Sequence, residues 1–245
     1  MSLIDPEIKK GYDRIATSNA WPEKKKFWFE FNLGPKESGW KDIKAPGKEG
    51  QRIAQVEASP FGQSSVHRAH FLDVLVKMVP DGVAKFGKRV EKVEKKGERM
   101  QITFNDLSTA EADAVIGCDG VKSRTRQILL GEDHERTSPT FTGKYAYRGL
   151  VSMEKAVEAI GDELARNSQM YLGRHGHILT FPIEKGKMMN VVAFQTKMDG
   201  KWEHEDWVLP MRKEDMLNDF AGWGESVQQI LSVSCSNINS KSFMN

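Results

Sequence analysis

The sequence has little cysteine, no long apolar run, no charge imbalance and no glycine-rich phosphate loop. Two cysteines in 245 residues cannot build a disulfide framework. Cys118, inside an apolar run, and Cys235, in a polar stretch, are therefore expected as free thiols in a reducing compartment. No stretch approaches the roughly 18 consecutive apolar residues of a membrane span. The opening Met1-Ser2-Leu3-Ile4-Asp5-Pro6 has neither the basic start nor the apolar centre of a secretory signal, so a cytoplasmic protein without membrane association is expected. Lys plus Arg number 36 against 34 for Asp plus Glu, a net charge of +2, too even to suggest a nucleic-acid partner. Lys24-Lys25-Lys26, between Trp21 and Trp28, is better explained as a solvated edge than as a nucleic-acid patch. Among the six histidines only His67 and His70 share a helical spacing, and they lack the further ligands a metal site needs. Gly-x-Gly-x-x-Gly is absent, which argues against a nicotinamide dehydrogenase built on a Rossmann unit. No repeat is visible, which sets solenoids and propellers aside.

What is present is enough chain for one large domain or two smaller ones, with a core that needs no metal or disulfide. Short strands are expected at Phe27 to Phe31 and Arg52 to Val56. Phe71, Leu72, Leu75, Val76 and Val79 recur at helical spacing and stop at Pro80-Asp81-Gly82, predicting an amphipathic helix. Arg89 to Val93 and the alternating Met100, Ile102 and Phe104 predict a hairpin. Ala112 to Cys118 is nearly continuous in apolar residues, as expected of a strand buried on both faces, and Ser123 is placed to cap a helix through Leu130. From Tyr145 onward, Gln169 to Leu172, His177 to Ile183 and Met189 to Thr196 predict an antiparallel meander. One helix is expected through Met153, Ala156, Val157, Ile160 and Leu164, and another over Arg212 to Gly222. His175 and His177, flanking Gly176, are expected to be exposed. The class is α/β mixed with an antiparallel sheet.

The chemistry centres on Asp119-Gly120, at the end of the Ala112 to Cys118 run. A carboxylate there can accept hydrogen bonds from ribose or amide groups, and Gly120 lets a phosphate-bearing ligand approach the backbone. The same pair equally suits a turn that ends a strand.

Asp113-Ala114-Val115-Ile116-Gly117-Cys118-Asp119-Gly120-Val121-Lys122-Ser123-Arg124 resembles the Asp-Gly motif of the flavoprotein aromatic hydroxylases of the para-hydroxybenzoate hydroxylase type. Val66-His67-Arg68 with its following helix, Tyr147-Arg148-Gly149-Leu150, and His177-Ile178-Leu179-Thr180-Phe181-Pro182-Ile183 with Asn190-Val191-Val192-Ala193 are similar to three further blocks of that family, in the same order. The likeness is closest to salicylate hydroxylase-like and polyketide-hydroxylating members, and runs from about Leu3 to about Leu231.

The resemblance implies a partial FAD-binding domain at 1–16 and 66–135, an antiparallel-sheet substrate domain at 17–65 and 136–231, and a divergent tail at 232–245. It implies FAD as cofactor, NADPH or NADH as reductant, and hydroxylation of a small phenolic acid or polyketide. By position, Arg68 would contact the flavin, Val90 would meet the adenine side through its backbone, and Asp119 and Gly120 would lie near the pyrophosphate. Arg148 would face the substrate as catalytic and binding residue. Phe181 stands where polyketide-hydroxylating members carry a tyrosine beside that arginine, so one hydroxyl is lost but a stacking ring remains. The chain departs from the family where the glycine-rich loop and a later Gly-Asp-Ala-Ala-His segment would stand, so truncation at both ends and an uncovered sheet edge are expected. The alternative is a catalytically inactive fragment or ligand-binding remnant without flavin.

Overall fold

The computed structural model describes residues 1–40, 44–204, 206–210, 212–234 and 240–243. The chain divides into two compact units, one made of 1–78 with 142–244 and the other of 79–141.

The first unit begins with α1 (Pro6–Ile15), where Pro6 presets the first turn and the Asp5 carboxylate accepts from the Glu7 N–H at 2.7 Å. There follow β1 (Thr17–Ser18), β2 (Phe27–Leu33), β3 (Arg52–Glu57), β4 (Ser64–Ser65) and α2 (Arg68–Val76). The second unit holds β5 (Val90–Lys96), β6 (Arg99–Phe104), β7 (Thr109–Ala112) and α3 (Arg124–Leu130). The chain then returns to the first unit with β8 (Lys144–Ser152), α4 (Met153–Ile160), α5 (Asp162–Arg166), β9 (Gln169–Leu172), β10 (Gly176–Ile183) and β11 (Met188–Thr196). It closes with β12 (Val208–Leu209), α6 (Lys213–Asp219), α7 (Glu225–Ser234) and β13 (Ser240–Phe243).

An eight-stranded sheet in the order β12-β13-β8-β11-β10-β9-β2-β3 dominates the first unit. Its pairs are antiparallel except β2 with β9. Alternation along the strands gives it two different faces. One face carries Tyr147, Ile178, Met189 and Val191 into a core shared with Ala156 of α4, Met216 and Phe220 near α6, and Val227, Ile230 and Leu231 of α7. The other face carries a smaller apolar cluster, Ala146, Val192 and Phe194 with Leu179 against it. The meander and the mixed α/β class are thus as the sequence predicts. The helix expected through Leu164 is instead two helices, because Gly161 breaks it at φ +81. The tail expected at 232–245 contributes only the last turn of α7, residues 232–234, and β13, while Cys235 lies outside the described residues.

In the second unit β5, β6 and β7 form an antiparallel sheet containing the expected hairpin. The expected buried strand from Ala112 to Cys118 is corrected by the structure. β7 ends at Ala112, residues 113–120 form no strand, Ile116 is 86 % exposed and Cys118 is a free, exposed thiol. A strand needs a neighbour for its N–H and C=O groups, and no described segment pairs with this one, so its apolar side chains stay uncovered. Among the described residues no helix is long and apolar enough to cross a membrane.

Candidate functional site

The face of the large sheet opposite the main core is where alternation places Arg148. β8, β11, β10, β9 and β2 align Arg148, Val192, Leu179, Met170 and Phe31 in one row across the strands. The next row on one side is Ala146, Phe194, His177, Leu172 and Leu33; the next on the other side includes Leu150, Asn190 and Phe181. Arg148 and Phe181 therefore share a face one row apart. Arg148 is exposed and has no ion-pair partner among the described residues. Phe181 is half-buried and meets Phe29 edge to face, with ring centroids 6.3 Å apart. The result is a single guanidinium standing on an apolar, aromatic floor, an arrangement suited to a planar anion that can stack and pair at once.

His177 belongs to this floor. It is half-buried and stacks on Phe194 at 4.5 Å, where burial and the nearby Lys144 charge hold its pKa below the ordinary histidine range. The expectation that it would be exposed came from its neighbour Gly176; membership of the alternating strand β10 was the signal that places it. On the opposite face Tyr145 and Tyr147 both donate to Asp219 Oδ2, at 2.6 and 2.5 Å, and burial followed by that carboxylate raises both phenol pKa values. Tyr147 belongs to a block that the sequence singles out, but its meeting with Tyr145 and Asp219 does not show there, because the three come together only through the packing of α6 on the sheet.

In the second unit Asp119 and Gly120 line an open cavity of about 850 Å³ together with Val93 and residues of α3. The Asp119 carboxylate is engaged locally. Oδ1 accepts from Ser123 Oγ at 2.5 Å and Thr125 Oγ1 at 2.8 Å, and Oδ2 from the Thr125 N–H at 2.9 Å, which hold its pKa well below the carboxylate range. Ser123 caps α3 as the sequence predicts, accepting from the Arg126 N–H at 3.0 Å. Gly117 makes the turn possible, since a Cβ there would sit 2.0 Å from Thr125 Oγ1. Gly120 has φ +74 and open space around its missing Cβ. Val90 is half-buried, at a register shift where β5 meets β6.

Arg68 opens α2 in the first unit, exposed and with no partner among the described residues. Beside it, the His67 ring lies 4.9 Å from that of His70, and its buried Nδ1 has no hydrogen-bond partner. Among the described residues no group of three His, Cys, Asp or Glu side chains is arranged to hold a metal.

A 6-methylsalicylate 1-monooxygenase of Aspergillus terreus is 40 % identical over 236 residues, covering 94 % of this chain and 50 % of the relative. A salicylate hydroxylase of Pseudomonas putida is 39 % identical over 242 residues, covering 94 % and 52 %. The solved structure of a salicylate hydroxylase substrate complex superposes with a TM-score of 0.78 at 34 % identity, covering 97 % of this chain and 58 % of that one. The chain is a relative of the salicylate hydroxylase-like FAD-dependent monooxygenases. It spans about half the length of the curated hydroxylases it matches. The hydroxylase fold extends to more distant structures, among them a Klebsiella pneumoniae protein complexed with FAD, at 18 % identity and a TM-score of 0.66. No family model matches the chain.

Proposed function

We propose that this chain serves an FAD-dependent hydroxylation of a phenolic acid or phenolic polyketide, with Arg148 as the residue that binds and orients the ring. The observation that carries this reading is the guanidinium of Arg148, without an ion-pair partner among the described residues, on a sheet face floored by Leu179, Phe181, Val192 and Phe194. A phenolate or carboxylate pairs with the guanidinium while the ring lies on the apolar floor, which excludes water from one side and fixes which edge is presented. Phe181 contributes stacking in place of a hydroxyl, so the anionic anchoring falls on Arg148. His177, whose pKa burial and the Lys144 charge lower, supplies a polar edge to the floor.

Bound FAD, reduced by NADPH or NADH, would supply the oxygen chemistry. The residues fit such a group in part. In the second unit Gly120 leaves space for a bulky ligand and Val90 offers backbone groups at a strand irregularity; in the first unit, taken by itself, Arg68 is an exposed cation with no ion-pair partner among the described residues. Asp119 is spent on Ser123 and Thr125, so its part is to order the turn that presents Gly120.

That engagement of Asp119, together with the unpaired apolar residues 113–118, favours a second reading: a ligand-binding remnant that holds no flavin. The visible absorption spectrum after incubation with excess FAD and gel filtration separates the two. A retained, protein-perturbed flavin band supports the monooxygenase reading. A colourless protein that still binds salicylate supports the remnant.

A further inference from the structure

Away from the Arg148 face, the first unit contains a cavity of about 480 Å³ with an unusual charge balance. Its wall includes Arg14, Lys25, Arg166 and Lys185, and Asp13 is the only acidic residue among its lining. Asp13 is already paired with Lys9, and Arg166 with Asp162 at 2.6 Å. Arg14, Lys25 and Lys185 have no ion-pair partner among the described residues, although they come from the end of α1, the turn before β2 and the turn between β10 and β11. Uncompensated like charges around one cavity repel, and a concave wall of one sign concentrates counter-ions.

The cavity is held from beneath by a specific framework. Thr17, 7 % exposed, accepts the Lys185 N–H on its Oγ1 at 2.7 Å. Asn19, 2 % exposed, donates to the carbonyls of Lys24 and Phe27 and accepts from the N–H and hydroxyl of Ser168. Glu184 and Lys185 take φ values of +50 and +55, a left-handed backbone region that disfavours residues with a side chain. The fold thus fixes a strained lysine, through a buried threonine, at the wall of a basic cavity.

We propose that this cavity is a phosphate-binding site, taking a phosphomonoester or pyrophosphate group with Arg14, Lys25 and Lys185 as its charged contacts. Arginine grips phosphate oxygens through its planar fork, lysine as a point charge, and Ser18 adds a hydroxyl donor at the rim. The group can arrive as inorganic phosphate or on a nucleotide.

The test is calorimetric titration of the full chain with inorganic phosphate and pyrophosphate at constant ionic strength, balanced with chloride. Saturable binding is expected, tighter for pyrophosphate, weakened at least about tenfold in the Arg14→Gln/Lys185→Gln double variant and unchanged in Lys95→Gln on β5. Titration with 2′-phosphorylated adenosine against adenosine then separates a nucleotide source from the free ion. Acylation of the unsubstituted chain gives an independent reading, with pyrophosphate expected to protect Lys25 and Lys185 selectively over Lys95. Absence of saturable binding, equal binding by the double variant, or protection no greater at Lys25 and Lys185 than at Lys95 overturns the proposal.

Discussion

Lys24 Nζ lies 2.5 Å from Glu30 Oε2 within the first unit, and both side chains are less than a tenth exposed. Glu30 is the hub of the cluster: Oε1 accepts from Arg52 at 2.9 Å and Gln55 at 2.6 Å, Oε2 accepts from Gln169 at 3.0 Å as well as from Lys24, and Lys24 reaches on to Glu163. Burial alone would raise the Glu30 pKa; the hydrogen bonds from Gln169, Lys24 and Gln55 outweigh it and hold the value at about 2. A carboxylate depressed in the folded state stabilises it above its unfolded pKa, near 4.5, and that contribution fades as pH falls toward 2. The expected loss is roughly 3 kcal/mol between pH 5 and pH 2. Glu30→Gln leaves Lys24 and Arg52 facing a neutral group, and should cost about 3 kcal/mol at pH 7 while flattening the acid slope. Urea unfolding of both proteins at several pH values decides this, and parallel slopes would remove Glu30 as the source.

Arg148→Ala should weaken salicylate binding at least about tenfold, the scale of one lost charge-assisted contact. Because Arg148 is exposed, its removal should shift unfolding stability by no more than about 0.5 kcal/mol. Arg148→Lys should recover part of the affinity through charge while losing the two-point geometry. Calorimetry with salicylate, and with benzene as an uncharged ring, reads both terms; equal affinity of wild type and Arg148→Ala for salicylate would take Arg148 out of the site.

Asp119→Ala tests whether that carboxylate has a structural task in the absence of any ligand. It removes acceptors for Ser123, Thr125 and the Thr125 N–H together, so α3 should lose about 1 kcal/mol of local stability. Hydrogen exchange is expected to accelerate at Thr125 to Ile128 in the flavin-free chain. Unchanged exchange there would leave Asp119 free for a purely ligand-directed role.

The parts of this architecture written in local pattern were legible in the sequence. Alternation along Gln169 to Leu172, His177 to Ile183 and Met189 to Thr196 gave β9, β10 and β11 nearly to the residue, since period-two burial is the sheet's own signal. Ser123 was recognisable as a cap for the same reason. Ala112 to Cys118 misled because an apolar run specifies a wish for burial and not a neighbour to supply it. His177 misled because a flanking glycine was weighed above strand parity. The Lys24–Glu30 cluster was invisible because Glu163 and Gln169 reach it only where β2 pairs with β9, and the basic cavity because Lys185 comes up against Thr17, far away in the sequence, only in the fold. Arg148 was found through family resemblance; its lack of a described partner is information only the fold supplies.

Trp223 is wedged between two glycines from different parts of the chain, which makes its packing testable with a single methyl group. A Cβ at Gly34 would lie 2.2 Å from Trp223 Cζ3, and one at Gly173 would lie 2.6 Å from Cζ2. The indole cannot yield easily: it is 7 % exposed, meets Phe220 edge to face with ring centroids 5.1 Å apart, and its backbone bridges to Pro35. Gly34 also donates to the Leu172 carbonyl and accepts from the Gly224 N–H, so its backbone is pinned on both sides. Overpacking of this kind costs about 1–3 kcal/mol, and Gly34→Ala should fall at the upper end because neither ring nor backbone has room to relax. Gly50→Ala is the matched control: it too lies near β3, but its Cβ would meet nothing within 4 Å, so its cost comes only from φ +72 and should stay near 1 kcal/mol. Thermal unfolding followed by tryptophan fluorescence compares the two; a Gly34→Ala protein no less stable than Gly50→Ala would mean that Trp223 can move, and that the end of the sheet it fills is looser than its packing implies.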